Sequence, residues 1–122
     1  MSFDSEASQI NRLNFEDILI IIFIILGLIN LYANNENKEY IKTKEKKHHT
    51  TANEAFLLTL TVTFFIYIYF FVRNYNDYKK IEESKKGLFL IKVLGSSFLI
   101  AGIICLIYFQ QKQTSFVDSP AL

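Results

Sequence analysis

The residues best equipped for chemistry are the adjacent pair His48-His49, flanked by Glu45 and Glu54. Imidazole nitrogens and carboxylates are metal ligands, but a helical metal pair is spaced i,i+4, as in H-E-x-x-H, so that both rings share a face. Adjacent side chains on a helix diverge by about 100°. The pair is therefore read as part of a solvated polar loop, without a metal. A histidine pair could also sense pH, although no other residue supports that role. Cys105 is the one cysteine, which excludes an intrachain disulfide and a cysteine-based zinc site. Catalysis at membrane depth would need a nucleophile with its base, or an acid paired with a base, and intramembrane ionisable residues are its usual mark. The apolar stretches hold only Lys92, near the end of one of them. The sequence offers no catalytic, cofactor-binding or metal-binding residue, and a non-enzymatic protein is expected.

The remaining polar and small residues point to helix packing. Asn30 falls at the end of an apolar run, where it is expected to be hydrated or to cap; the alternative is a bond across to another helix, worth about 0.6–2 kcal/mol. Thr59 and Thr63 share a helical face, with Thr61 between them, and each hydroxyl is expected to bond back to its own helix. A polar channel lining is the other use of such a face. Tyr67 and Tyr69 belong to the run "FFIYIYFF", and their hydroxyls must find partners on another helix or reach the headgroups. Ser97, Ala101 and Cys105 form a small-xxx-small ladder, with Gly95 and Gly102 seven residues apart beside it. Helices in lipid gain nothing hydrophobic by touching, so close van der Waals approach decides association. The packing candidates are thus Gly95, Ser97, Ala101, Gly102 and Cys105, joined by Thr59 and Thr63. Cys105 is expected as a small buried packing residue rather than a reactive thiol. The ladder could face the second span or a second copy of the chain.

Three elements must position these residues. Residues 18–33 are almost wholly apolar and rise about 24 Å as a helix, or about 28 Å with residues 15–17, close to the ~30 Å hydrocarbon core of a bilayer. Asn14 is the expected N-cap and Asn34-Asn35 the stop. A cleavable signal fits poorly, because the leader is acidic where a signal wants a basic start. The second span, Ala55–Val72, follows the capping box Thr51-x-x-Glu54. The third, Leu88–Phe109, follows Gly87 and contains Lys92, expected to snorkel. The fold class is all-α: a small polytopic membrane protein with three transmembrane helices and short charged connections. Spans lie at about 15–33, 52–73 and 88–110, basic loops at 34–51 and 74–87, and a polar tail at 111–122.

The second connection raises a geometric difficulty. Residues 73–86 read as helical, with Lys79–Glu83 and Glu82–Lys86 at i,i+4 and Tyr75, Tyr78 and Ile81 on one face. If they continued the second span, Gly87 would stand about 20 Å outside the hydrocarbon just before Leu88 had to enter it. Either the helix breaks near residues 74–76 and its end lies flat in the interface, or the second and third helices form a stalk. The first connection, with five lysines, reads as a partly helical solvated loop. Flanking lysines and arginines balance on the two sides, with Lys92 tipping the count to an N-terminus inside.

The chain has 122 residues and a net charge of +1, with acids mixed into both basic clusters, unlike a nucleic-acid-binding arm. No small-molecule substrate is evident. The expected partners are the lipid bilayer and either a second copy or another membrane protein, in a multi-pass arrangement in a cell membrane, with isoleucine, asparagine and lysine bias favouring a bacterial plasma membrane. The leading function is an oligomeric or accessory component acting through helix–helix packing. In size and span number the chain resembles the small three-span phage holins, which permeabilise membranes after accumulating. That resemblance implies a pore-forming alternative, although the tail lacks the dense positive charge that many holins carry.

Overall fold

A computed structural model describes residues 5–113 together with Val117 and Pro120. It contains α1 (Glu6–Thr43), α2 (Lys46–Lys80), a single 3-10 turn (Glu83–Lys85) and α3 (Lys86–Lys112), with no strand among the described residues. Each of the three long helices has the length and apolar composition needed to cross a membrane, so the protein is an all-α membrane protein.

The helices run well past the expected boundaries. α1 is capped by Ser5, whose side chain accepts the Ser8 N–H at 3.1 Å, and Asn14 lies two turns inside it. It passes through Asn34-Asn35 and ends at Lys44, which adopts the left-handed conformation (φ 63°, ψ 14°) and donates its N–H to the Tyr40 carbonyl at 2.7 Å. α2 starts at Lys46, so the Thr51–Glu54 capping box sits unused inside it. Gly87 falls in the first turn of α3, and the chain breaks at Ile81 and Glu82 instead. Cap signals permit a helix to start or stop; they do not compel it. Packing between the polar ends of α1 and α2 carries both helices onward.

α2 packs against both other helices, while among the described residues no Cα atom of α1 comes within 8 Å of one in α3. The face of α1 turned to α2 carries Leu19, Leu26 and Ala33, and that of α3 carries Ser96, Ile103 and Gln110, all buried. Both series step by seven, the period that keeps one seam facing a partner in left-handed helix packing. Towards α1, Ile66 joins Leu19 and Leu26 in one apolar cluster, and Ala52 and Phe56 join Ala33 in another. Towards α3, Asn53 bonds Gln110 and Asn74 bonds Ser96, with buried Leu60 between them on the same heptad line. Glu54, Leu58, Thr61, Phe65 and Val72 leave an exposed stripe along α2. α1 and α3 therefore lie on neighbouring sides of α2, not opposite ones.

This register resolves the difficulty at the second connection. Glu16 pairs with Arg73 and Asn30 with Thr59, which sets the apolar run 18–33 of α1 level with 55–72 of α2. Asn74 bonds Ser96, so α3 reaches that level only near residue 94. From there to Phe109 it rises about 24 Å, matching its neighbours. Leu88 to Lys92 then stand beside the polar ends of α1 and α2, and no helix has to bend. At the other end, α3 stops level with Asn53. The polar pair of helices formed by residues 36–50 projects beyond it, so the stalk belongs to the first connection and the solvated loop is two helix ends.

Candidate functional site

Where α1 begins and α2 ends, a polar cluster joins all three helices. Arg12 and Glu16 are one turn apart on α1, with Arg12 Nε 3.9 Å from Glu16 Oε2. Glu16 is buried, and its other oxygen accepts from Arg73 Nη1 on α2 at 3.0 Å. The Tyr69 hydroxyl donates to Glu16 Oε2 at 3.0 Å. One turn further out, Arg12 Nη1 donates to both oxygens of buried Asp77, at 3.2 and 3.4 Å. Arg73 Nε and Nη2 donate to Asn74 Oδ1 at 3.2 and 2.8 Å, and its guanidinium lies over the Phe70 ring. Asn74 Nδ2 then donates to Ser96 Oγ on α3 at 2.6 Å, and Ser96 donates to the Lys92 carbonyl. Two guanidiniums meet two carboxylates, so the cluster is neutral overall.

Such a cluster is suited to holding register. An apolar seam with a seven-residue repeat can slide by one repeat at little cost. Sliding α1 would leave Glu16 and Asp77 buried without their arginines, and breaking a buried ion pair costs about 3–5 kcal/mol. The network thus fixes which residues of the three helices face each other.

A second polar layer lies at the opposite end. His49 is buried and stacks on Tyr40, with ring centroids 5.0 Å apart. His48 Nδ1 lies 2.5 Å from Glu36 Oε2. The histidines, expected in a solvated loop, are in the first turn of α2 and packed on α1. Among the described residues no three His, Cys, Asp or Glu side chains are grouped to hold a metal. Gln110 and Gln113 both donate to Asn53 Oδ1, at 2.6 and 2.9 Å, and Asn37 donates to the Val117 carbonyl at 3.0 Å. The last contact brings part of the tail onto α1; most of the tail lies outside the described residues.

The packing candidates separate into two groups. Thr59 and Thr63 are buried, and Thr59 Oγ1 lies 2.9 Å from both Asn30 Oδ1 and the Phe56 carbonyl, which share its one proton. Asn30 therefore bonds across to α2 rather than capping or meeting water. Gly95, Ala101, Gly102 and Cys105 are exposed, and Ser97 is half-buried, bonding back to the Val93 carbonyl. The ladder thus faces away from α2, and Cys105 is not a buried packing residue of this chain. The reason is the period: α3 turns the step-of-seven series Ser96, Ile103, Gln110 inward, which leaves the step-of-four ladder on another face. Sequence reasoning missed the charged cluster. Its signal was present in the i,i+4 spacing of Arg12 and Glu16 once α1 is allowed to begin at residue 6.

Comparison with protein families, with characterised proteins and with solved structures gave no match to this chain.

Proposed function

We propose that this protein is a non-enzymatic, multi-pass component of a cell membrane that works by helix–helix assembly, with itself or within a larger membrane complex. The observation that carries this reading is the outward face of α3. One seam of α3 is spent on α2, α1 does not reach it, and Ala101, Gly102 and Cys105 lie exposed among apolar neighbours. Small residues on a lipid-facing helix let a second backbone approach closely, which is the source of association where no hydrophobic gain exists. The charged cluster supports the same reading by holding α3 in a fixed register on α2.

The pore-forming alternative receives less support from the geometry. Thr59 and Thr63, which would line a channel, are buried between α1 and α2.

Ala101→Leu and Gly102→Leu test the proposal. A Cβ added at exposed Gly102 meets nothing within 4 Å in the chain, so the position has room for a larger side chain. Loss of the slow-migrating species on blue-native gels, with helicity retained, is the expected result. Migration of both variants identical to that of the unaltered protein would remove the assembly reading. Abrupt loss of membrane potential on induced expression in bacteria would favour the pore instead.

A further inference from the structure

Beside the charged cluster, a cleft of about 410 Å³ opens between the start of α1 and the start of α3, with the end of α2 as its floor. Its volume falls in the ~300–1,000 Å³ range of small-molecule sites. Arg12, Lys85 and Lys92 reach it from three separate elements, against a single acid, Asp77. That carboxylate is already held by Arg12. Lys85 Nζ is 3.5 Å from Glu82, but the two side chains are 48% and 55% exposed, and water screens such a pair. Lys92 has no acid partner among the described residues; its ammonium lies 5.3 Å from the centroid of the Phe89 ring. Arg12 is itself paired, with Asp77 and with Glu16, so the surplus charge is that of the two lysines. The positive charge of this cleft exceeds what the described chain neutralises.

We propose that this cleft binds the phosphate of an anionic phospholipid headgroup. The helix register sets Lys92 and Arg12 just outside the level at which all three apolar runs end. That is the depth of the headgroup phosphates. The lining is amphipathic in the matching sense: cations converge at the opening, while Ile81 is buried beneath and Leu88 and Phe89 stand beside it. Phosphate oxygens take short charge-assisted bonds from ammonium and guanidinium groups, and a basic pocket between helices at the membrane surface supplies them. Acyl chains would run along α3 on the cleft side, below Lys92 and past exposed Leu99. The site uses none of the residues on the α3 ladder, so it stands or falls separately from assembly.

The full chain in an uncharged detergent provides the test, with bound lipid read by native mass spectrometry. The probes are phosphatidylglycerol, phosphatidylcholine and inorganic phosphate. Phosphatidylglycerol should bind about tenfold more tightly than phosphatidylcholine: both carry the phosphate, but the choline ammonium is repelled by the cations of the cleft. The Lys85→Gln/Lys92→Gln variant should lose that preference. Lys47→Gln, at the opposite end and 73% exposed, should keep it. Excess inorganic phosphate should leave phosphatidylglycerol bound. Equal retention of the two lipids, or a preference unchanged in the double variant, overturns the proposal. Displacement by inorganic phosphate at equal concentration overturns the lipid assignment in favour of a soluble phosphate ligand. Both lysines are exposed, and unchanged helical circular dichroism in the variants confirms that the fold is intact.

Discussion

Arg73 of α2 donates to Glu16 of α1 at 3.0 Å, across 57 residues of chain, and both are at least partly withdrawn from solvent. The contact joins two helices whose remaining shared surface is mostly apolar and repetitive. It turns a seam with several possible alignments into one with a single low-energy alignment.

Glu16→Gln should therefore destabilise the protein by about 3 kcal/mol, because it leaves Arg73 and Arg12 facing a neutral amide. The measurement is denaturant titration of detergent-solubilised protein followed by circular dichroism. Glu16→Leu/Arg73→Leu should cost less than the two single changes together, with a coupling of about 1 kcal/mol or more. Strict additivity would mean that the pair is geometrically close but energetically idle.

Asn74→Ala should loosen α3 from α2 by about 1 kcal/mol, the usual scale of a hydrogen bond between membrane helices. Ser96 keeps its bond to the Lys92 carbonyl in that variant, so no hydroxyl is stranded. Protease accessibility of the 81–85 turn should rise. Unaltered cleavage would show that the apolar seam alone holds α3.

Lys44 has a left-handed backbone at φ 63°, the only non-glycine residue with positive φ among those described. Lys44→Gly should stabilise by up to about 1 kcal/mol, since glycine adopts that conformation without steric cost, offset by its greater freedom when unfolded. A lower thermal midpoint in the glycine variant would contradict the tight two-residue connection.

Cys105 is exposed on the outer face of α3. Mild membrane-permeant oxidation should trap a disulfide dimer if two α3 ladders meet, and Gly102→Leu should abolish it. A chain that stays monomeric on non-reducing gels at all oxidant levels would place the assembly surface elsewhere.

The number and order of the helices were legible in the sequence, because three runs near bilayer length with at most one charge each have few alternatives. Their ends were not. Asn14, Asn34-Asn35, Thr51–Glu54 and Gly87 are all locally sensible boundaries, and the helices ignore them because polar segments outside the spans find partners on neighbouring helices. Tyr40 on His49 is one such case. Tyr69 does find a partner on another helix, and that partner is Glu16, two residues after the expected N-cap Asn14. Which face of α3 meets α2 depended on whether a step of four or of seven prevailed. The composition of α3 favours neither: inward positions hold serine, isoleucine and glutamine, which no hydrophobicity pattern selects.

That α1 and α3 both pack on α2 and not on each other also bears on how the chain is made. Every helix–helix hydrogen bond described above has α2 as one partner. A nascent chain released as far as Lys80 already holds both halves of each buried ion pair, Glu16 with Arg73 and Arg12 with Asp77. The charges can thus be neutralised while synthesis is still under way, and the last helix inserts against a finished template.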